Sequence, residues 1–156
     1  MWFFSLDANS ALAVQGARWL WKLNYYRARM QVERTGAVMR YRATRRDRPE
    51  YMADITARIG GLLGENEVGR SRPAGAAIPG TLEHFLMERY ILYSQLGDSP
   101  LRKASVHHFP YRLREVELLG CEQTLTAACG VPLDRPPCHV VYSKLARVEV
   151  FPLGPV

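Results

Sequence analysis

The residues best suited to chemistry are two adjacent tyrosines, Tyr25 and Tyr26, flanked by Arg18 and Arg29. A phenol can hydrogen-bond a ligand, and a guanidinium can hold a carboxylate through two parallel hydrogen bonds. Neighbouring side chains on a strand point to opposite faces, so one tyrosine can line a cavity while the other packs elsewhere. The alternatives are buried core tyrosines with satisfied hydroxyls, and arginines that are surface cations or ion-pair partners.

Two further groups contain titratable residues. Glu88, Arg89 and Tyr90 stand at an expected helix-to-strand junction, where Glu88 and Arg89 can form a polar pair in a cavity or a structural salt bridge. His107 and His108 are neighbours on an expected strand, so one of them can face a cavity as an acid or base.

These residues do not indicate a metal centre. Two neighbouring histidines on a strand cannot easily ligate one ion, since they point apart. His84 and Glu88 are four residues apart on a helix, but neither a HExxH motif nor a third ligand accompanies them, and Cys138-His139 adds only a pair. The glycines do not form a nucleotide-binding fingerprint either. We therefore predict no metal and no cofactor.

Local patterns predict an α+β protein, mostly antiparallel, forming a single domain over residues 1–156. Asn9 or Ser10 can cap a helix that runs to Leu23, and Thr35-Gly36 can turn a hairpin between strands 27–33 and 38–44. Residues 60–80, rich in Gly, Pro and Ala, predict a long irregular loop. The other expected elements are strand 51–59, a helix over 82–89 with Leu82, Phe85 and Leu86 turned inward, strands 90–95 and 104–109, strand 113–118 paired with the latter, a helical turn at 124–129, and strands 140–142 and 147–151.

Charge and cysteine content narrow the function classes. The net charge of +6 comes mostly from arginine, with the densest cluster at Arg40, Arg42, Arg45, Arg46 and Arg48. This cluster indicates either a nucleic-acid patch or, as we favour, the solvated face of a hairpin. Three cysteines without a CxxC motif fit a reducing compartment. With no signal peptide and no apolar run of membrane-spanning length, the sequence predicts a cytoplasmic protein without membrane contact.

Longer segments resemble a known family. FFSLDA and LNYYRARM near the start, GTLEHFLMERYILY (80–93), VHHFPYRL (106–113) and HVVYSKLARVEVFPL (139–153) follow the pattern of the bacterial YqjF-like domains of unknown function, in the family's order. The resemblance implies the acetoacetate-decarboxylase-like fold, a β-barrel or double sheet with an interior cavity and two or three short helices. It also implies that the chain lacks the family's first strands, from a shortened gene model or a shortened domain. Exposed strand edges would then favour partners such as a second copy.

The same resemblance argues against the decarboxylase chemistry. When Arg18 is placed on the arginine of the decarboxylase motif, Tyr25 and Tyr26 stand where its two lysines lie, and Lys22 falls on a glycine. Iminium decarboxylation requires a lysine of lowered pKa. We therefore expect a domain that binds a small acidic or aromatic molecule in its cavity. The alternatives are an enzyme of this fold that uses Tyr, Glu and His in acid–base chemistry, and a basic nucleic-acid-binding module.

Overall fold

The chain is an α+β protein whose sheets are mostly antiparallel, in a computed structural model that describes residues 1–64, 73–133 and 135–156. Within these residues there are two helices, α1 (Ala11–Trp21) and α2 (Leu82–Met87), and a 3₁₀ turn at Ala127–Cys129. The strands are β1 Leu6–Ala8, β2 Tyr25–Thr35, β3 Val38–Arg45, β4 Met52–Leu62, β5 Ile91–Ser94, β6 Arg102–His108, β7 Leu113–Gln123, β8 Val141–Ser143, β9 Val148–Val150 and β10 Gly154–Pro155. The large sheet has the order β1-β2-β3-β4-β7-β8. In the small sheet β6 pairs with β5 on one side and with both β9 and β10 on the other.

The predicted hairpin forms the centre of the large sheet. β2 and β3 pair from Ala28↔Arg45 to Thr35↔Val38, and Gly36 takes a φ of 59° in the turn, which glycine adopts without strain. The period-two pattern buries Ala28, Ala43 and Ala53 on one face. The β4–β7 ladder shifts register between Thr56 and Ala57 and again between Ile59 and Leu62, and such bulges bend a strand. The sheet therefore curls into a half-barrel.

Helix α1 leads into this hairpin and begins at the predicted cap. The Ser10 hydroxyl accepts a hydrogen bond from the Ala13 N–H at 3.2 Å, satisfying one of the free donors of the first turn. The helix ends at Lys22, which takes the left-handed conformation with φ 54°. β2 starts three residues later, so the helix fixes where Tyr25 and Tyr26 enter the sheet.

The small sheet holds a compact apolar core. Leu92 of β5 and Ala104 and Val106 of β6 are buried together, and Trp21 and Leu23 pack against them. The segment before β1 joins the two sheets: Trp2 forms a bridge with Tyr93 of β5, and β1 then pairs in parallel with β2. The inner face of the small sheet thus lies against the end of α1 and the start of β2.

Two expectations about elements are wrong. Strand β6 does not pair with β7; it pairs with β5, β9 and β10, while β7 pairs with β4 and β8. Residues 109–112, which include Pro110, connect β6 to β7. Leu113 then pairs with Ser143 of β8 in the large sheet, and its N–H donates to the Gly75 carbonyl oxygen at 2.8 Å. Proline has no N–H for a sheet ladder, so a connection here suits a change of sheet.

Helix α2 is also shorter and less buried than expected. Thr81 caps it as predicted, its hydroxyl accepting from the His84 N–H at 3.3 Å. Leu82, Phe85 and Leu86 are about half exposed or more, so the helix does not bury these side chains in a core. Of the expected loop 60–80, residues 65–72 lie outside the described residues. The helices in the described part of the chain lack the length and apolar character needed to cross a bilayer.

Candidate functional site

Three stacked rings mark the candidate site. Tyr90 follows α2, His108 ends β6, and Tyr111 lies in the connection to β7. The His108 ring lies between the two phenols, 4.8 Å from the Tyr90 centroid and 4.7 Å from that of Tyr111, and nearly parallel to both. Stacking at these separations stabilises the rings against one another. The imidazole is therefore held in one orientation.

The hydrogen bonding of His108 makes one ring nitrogen available. Its side chain is buried, and Nδ1 lies 3.1 Å from the carbonyl oxygen of Phe109. A carbonyl can only accept, so Nδ1 carries the proton and donates it. In a neutral ring Nε2 is then an acceptor, and it makes no hydrogen bond with the described residues. His108 thus presents a fixed acceptor or base.

A cavity of about 540 Å³ adjoins this stack, and we call it the aromatic cavity. This volume lies within the range of small-molecule sites, about 300–1,000 Å³. The polar side chains lining it come from three separate parts of the chain: Tyr25, Arg89, His108 and Tyr111. The apolar lining residues include Leu23, Leu86, Leu92, Val106, Val148 and Val150.

The polar side chains of the aromatic cavity differ in their charge state and in the partners they already have. Burial raises the pKa of the Tyr25 phenol, and burial followed by the Glu88 charge raises that of Tyr111, so both remain neutral donors at pH 7. The Arg89 guanidinium lies 3.9 Å over the Phe85 ring and has no carboxylate partner among the described residues. A cation without a counter-charge beside neutral donors suits an anionic ligand.

Glu88 takes neither of the roles expected for it. Its carboxylate accepts a hydrogen bond from the Tyr90 hydroxyl and forms no salt bridge with Arg89 in the described structure. This hydrogen bond, with burial and the Glu88 charge adding to it, raises the pKa of Tyr90 to about 12. Tyr90 and Glu88 therefore support the stacked rings instead of forming a polar pair inside the cavity.

The second tyrosine faces a buried ion pair. The Arg45 guanidinium lies 4.0 Å over the Tyr26 ring, and its Nε donates to Asp7 Oδ1 at 2.8 Å. The side chains of Arg45 and Asp7 are only 3% and 8% exposed, and Ser5 accepts a further bond from Arg45. Arg18 also belongs here, since its Nε donates to the Tyr25 carbonyl at 2.6 Å and its guanidinium lies 5.6 Å from the Tyr26 ring. This cluster fastens α1, β1 and β3 to β2.

Two candidates lie away from the aromatic cavity. Arg29 is exposed on β2, and His107 is exposed on the outer face of β6, edge-on to Phe109 at 5.7 Å. The sequence argument that one of the two histidines faces the cavity thus leads to His108. Tyr111 was not among the predicted site residues. The available signal was its position immediately after Phe109 and Pro110, where an aromatic residue follows the histidine pair.

The arginine cluster of the hairpin is partly neutralised by carboxylates of the same chain. Arg40 forms a two-bond pair with Asp54, with Nε at 2.9 Å from Oδ1, and Arg42 pairs with Glu33. Arg45 is the buried partner of Asp7. Three of the five cluster arginines are thus paired with carboxylates, while Arg46 and Arg48 are exposed, and this pairing reduces the positive charge that a nucleic-acid surface would need. In the ranges that the structure describes, His, Cys, Asp and Glu side chains do not form a group that can hold a metal ion.

Comparisons with known proteins place the chain in a family. The DUF2071 family, described as an uncharacterized conserved protein, matches residues 1–146. The uncharacterized protein YqjF of Bacillus subtilis (strain 168) is 31% identical over 156 residues, which is 98% of this chain and 58% of the relative. The chain thus spans less than two thirds of that relative's length. No solved structure matches it significantly. The family match over nearly all of its length means that the chain belongs to the DUF2071 family.

Proposed function

We propose that the chain binds a small acidic or aromatic molecule, such as an aromatic keto acid, in the aromatic cavity. The observation that carries this proposal is Arg89, a guanidinium that lines an otherwise mostly apolar cavity without a carboxylate partner among the described residues. A ligand carboxylate would supply that partner, and its aromatic or aliphatic body would contact Leu92 and Val106.

The remaining polar groups suit the other end of such a ligand. The neutral phenols of Tyr25 and Tyr111 can donate to a keto oxygen, and His108 Nε2 can accept from a hydroxyl or enol. The ring stack holds the imidazole in place before a ligand arrives, so little side-chain freedom is lost on binding.

Thermal shift with phenylpyruvate tests the proposal, with phenylacetone as the uncharged analogue. At about a hundredfold excess over Kd, a ligand stabilises by ~2.7 kcal/mol. For a chain of this size we expect Tm to rise by about 5–10 °C with phenylpyruvate and by much less with phenylacetone. Arg89→Gln should remove the difference between the two ligands.

The matched control for this test is Arg29→Gln. It removes the same charge from an exposed position on β2, outside the aromatic cavity. The phenylpyruvate shift should survive in this variant. Equal shifts with both ligands, no shift with a panel of keto and aromatic acids, or equal losses in both variants would reject the acidic-ligand proposal.

His108 supports a second candidate function, proton transfer at a carbon next to a carbonyl. A neutral imidazole with a fixed acceptor nitrogen can remove such a proton, and the neighbouring phenols can stabilise the enolate oxygen. This function predicts exchange of the C3 protons of phenylpyruvate with deuterated solvent, faster than in buffer and lost in His108→Gln. If His108→Gln binds phenylpyruvate as tightly as the parent and exchange does not differ, the function is binding alone.

The described lining of the aromatic cavity does not include a lysine for Schiff-base chemistry. Lys22 does not line the aromatic cavity, and Tyr25 occupies the position that the resemblance assigns to a lysine. Borohydride reduction in the presence of acetoacetate should leave the mass of the protein unchanged, and an adduct on Lys22 would contradict this expectation. The acetoacetate-decarboxylase-like barrel, the cytoplasmic location and self-association remain predictions from sequence.

A further inference from the structure

A second cavity lies at the opposite end of the small sheet's inner face. Its volume is about 710 Å³, and it adjoins the aromatic cavity at Val150, which lines both. Its walls are mostly apolar and include Leu20, Trp21, Leu96, Val150 and Leu153. Two cations, Lys22 and Arg102, also line it, and we call it the cationic cavity.

The charges of the cationic cavity are not balanced from within. Lys22 and Arg102 have no carboxylate partner among the described residues. No acidic side chain of the described chain contributes to the lining either. An apolar concavity that carries only positive charge is complementary to a molecule with one anionic group and an apolar body.

The backbone fixes Lys22 in an unusual conformation. It is the non-glycine residue with positive φ in the described chain, at a helix end where glycine is the usual residue. The Ser94 hydroxyl, buried in β5, lies 2.7 Å from the Trp21 carbonyl oxygen and 3.1 Å from that of Lys22. The sheet thus fixes the backbone of Lys22 where this residue lines the cavity, at a helix end that glycine would occupy without strain.

We infer that the cationic cavity binds a soluble amphiphilic monocarboxylate, with its carboxylate between Lys22 and Arg102 and its hydrocarbon chain along Trp21 and Leu153. This site shares Val150 with the aromatic cavity but has its own cations, Lys22 and Arg102, and it takes a ligand without an aromatic ring. Burial of each methylene contributes about fourfold in affinity, which corresponds to ~0.8 kcal/mol. Affinity should therefore rise from hexanoate to octanoate by roughly tenfold or more.

Calorimetric titration with octanoate tests the site, with octyltrimethylammonium as the oppositely charged analogue. Octanoate should bind and the cation should not. Lys22→Gly and Arg102→Gln should each weaken octanoate binding about tenfold, and the double variant should abolish it. Glycine takes the left-handed conformation easily, so Lys22→Gly should keep or raise Tm and its loss of binding cannot come from misfolding.

Two control variants test whether cations outside the cationic cavity contribute to octanoate binding. Lys103→Gln removes a charge from the neighbouring position on β6, whose side chain points to the opposite face, and Arg89→Gln removes the cation of the aromatic cavity. Both should bind octanoate like the parent. The inference is overturned if octanoate does not bind, if the double variant binds it unchanged, or if binding follows Arg89.

A vesicle sedimentation experiment distinguishes a soluble carboxylate ligand from an anionic lipid headgroup in a bilayer. Vesicles of phosphatidylglycerol present anionic headgroups whose chains stay in the membrane. The protein should remain in the supernatant when these vesicles are sedimented. Sedimentation that depends on Lys22 and Arg102, without binding of free octanoate, would replace the proposed ligand with a lipid headgroup.

Discussion

The two faces of strand β2 use the same residue type in different ways. Tyr25 lines the aromatic cavity, where the Arg89 guanidinium has no carboxylate partner and His108 Nε2 no hydrogen-bond partner among the described residues. Tyr26, the next residue, packs under Arg45, whose guanidinium donates to Asp7 and Ser5. On one face the bonding capacity remains available. On the other face most of it is spent on holding the fold together, although Asp7 Oδ2 is buried without a hydrogen-bond partner among the described residues.

This difference separates a site from a structural cluster better than residue type does. Arginine, tyrosine and a polar partner occur on both faces, so a list of residue types would mark both as candidate sites. A buried charge is tolerated when it is paired and hydrogen-bonded, and Arg45 meets both conditions within the chain. Arg89 has only the Phe85 ring, so its electrostatic complement must be solvent or a ligand.

The largest expected effect is on the structural face. Arg45→Met leaves Asp7 buried without its cation, and breaking a buried pair in this way lowers the free energy of unfolding by about 3–5 kcal/mol. The double variant Arg45→Met/Asp7→Leu should recover most of this loss, because no uncompensated charge remains. Urea unfolding measures both. A single variant as stable as the parent, or a double variant no better than the single one, would show that this pair does not hold the face together.

A matched pair of tyrosine variants compares the faces directly. Tyr26→Leu removes the ring under Arg45 and should lower the free energy of unfolding by about 0.5–2 kcal/mol without changing the Kd for phenylpyruvate. Tyr25→Phe keeps the ring but removes the hydroxyl, so it should weaken phenylpyruvate binding by about two- to tenfold at nearly constant stability. Urea unfolding and calorimetric titration give the two quantities. If both variants changed the same quantity, the distinction between the faces would fail.

Sequence patterns predicted the parts of this arrangement that depend on near neighbours. The Ser10 cap acts on Ala13, and the hairpin turn joins strands that are adjacent in the chain. Strand periodicity likewise separated Tyr25 from Tyr26. These features depend on contacts within a few residues, which is the range over which periodicity and capping signals operate.

The parts of the site that could not be predicted depend on contacts between residues from different segments of the chain. Arg45 belongs to a cluster that the sequence presents as a basic patch, yet its partner Asp7 lies 38 residues away. The change of sheet after β6 brings Tyr111 onto His108, and neither local propensity nor period fixes which sheet a strand joins. Which face of β2 carries the site was therefore decided by tertiary packing.

The smallest expected effect concerns Tyr90, which combines features of both faces. It stacks on His108 beside the aromatic cavity, but its hydroxyl is engaged by Glu88, as the structural face would predict. The pKa of Tyr90 is raised from 10.0 to about 12, chiefly by this hydrogen bond. The folded chain therefore retains a proton that the unfolded chain loses above pH 10, and the stabilisation by this bond is complete below pH 10 and is lost as pH rises through 12.

Tyr90→Phe removes the donor of this hydrogen bond, and Glu88→Gln removes its carboxylate acceptor. Each variant should lose less unfolding free energy than the parent between pH 10 and pH 12. The difference in unfolding free energy between the parent and each variant should shrink from pH 10 to pH 12, and the remaining alkaline titrations cancel in that difference. The effect should be small because Tyr90 is 45% exposed and water screens the interaction. Parallel profiles would mean that Glu88 does not engage the phenol. Tyr90 would then belong with Tyr25, as a hydroxyl available to a ligand.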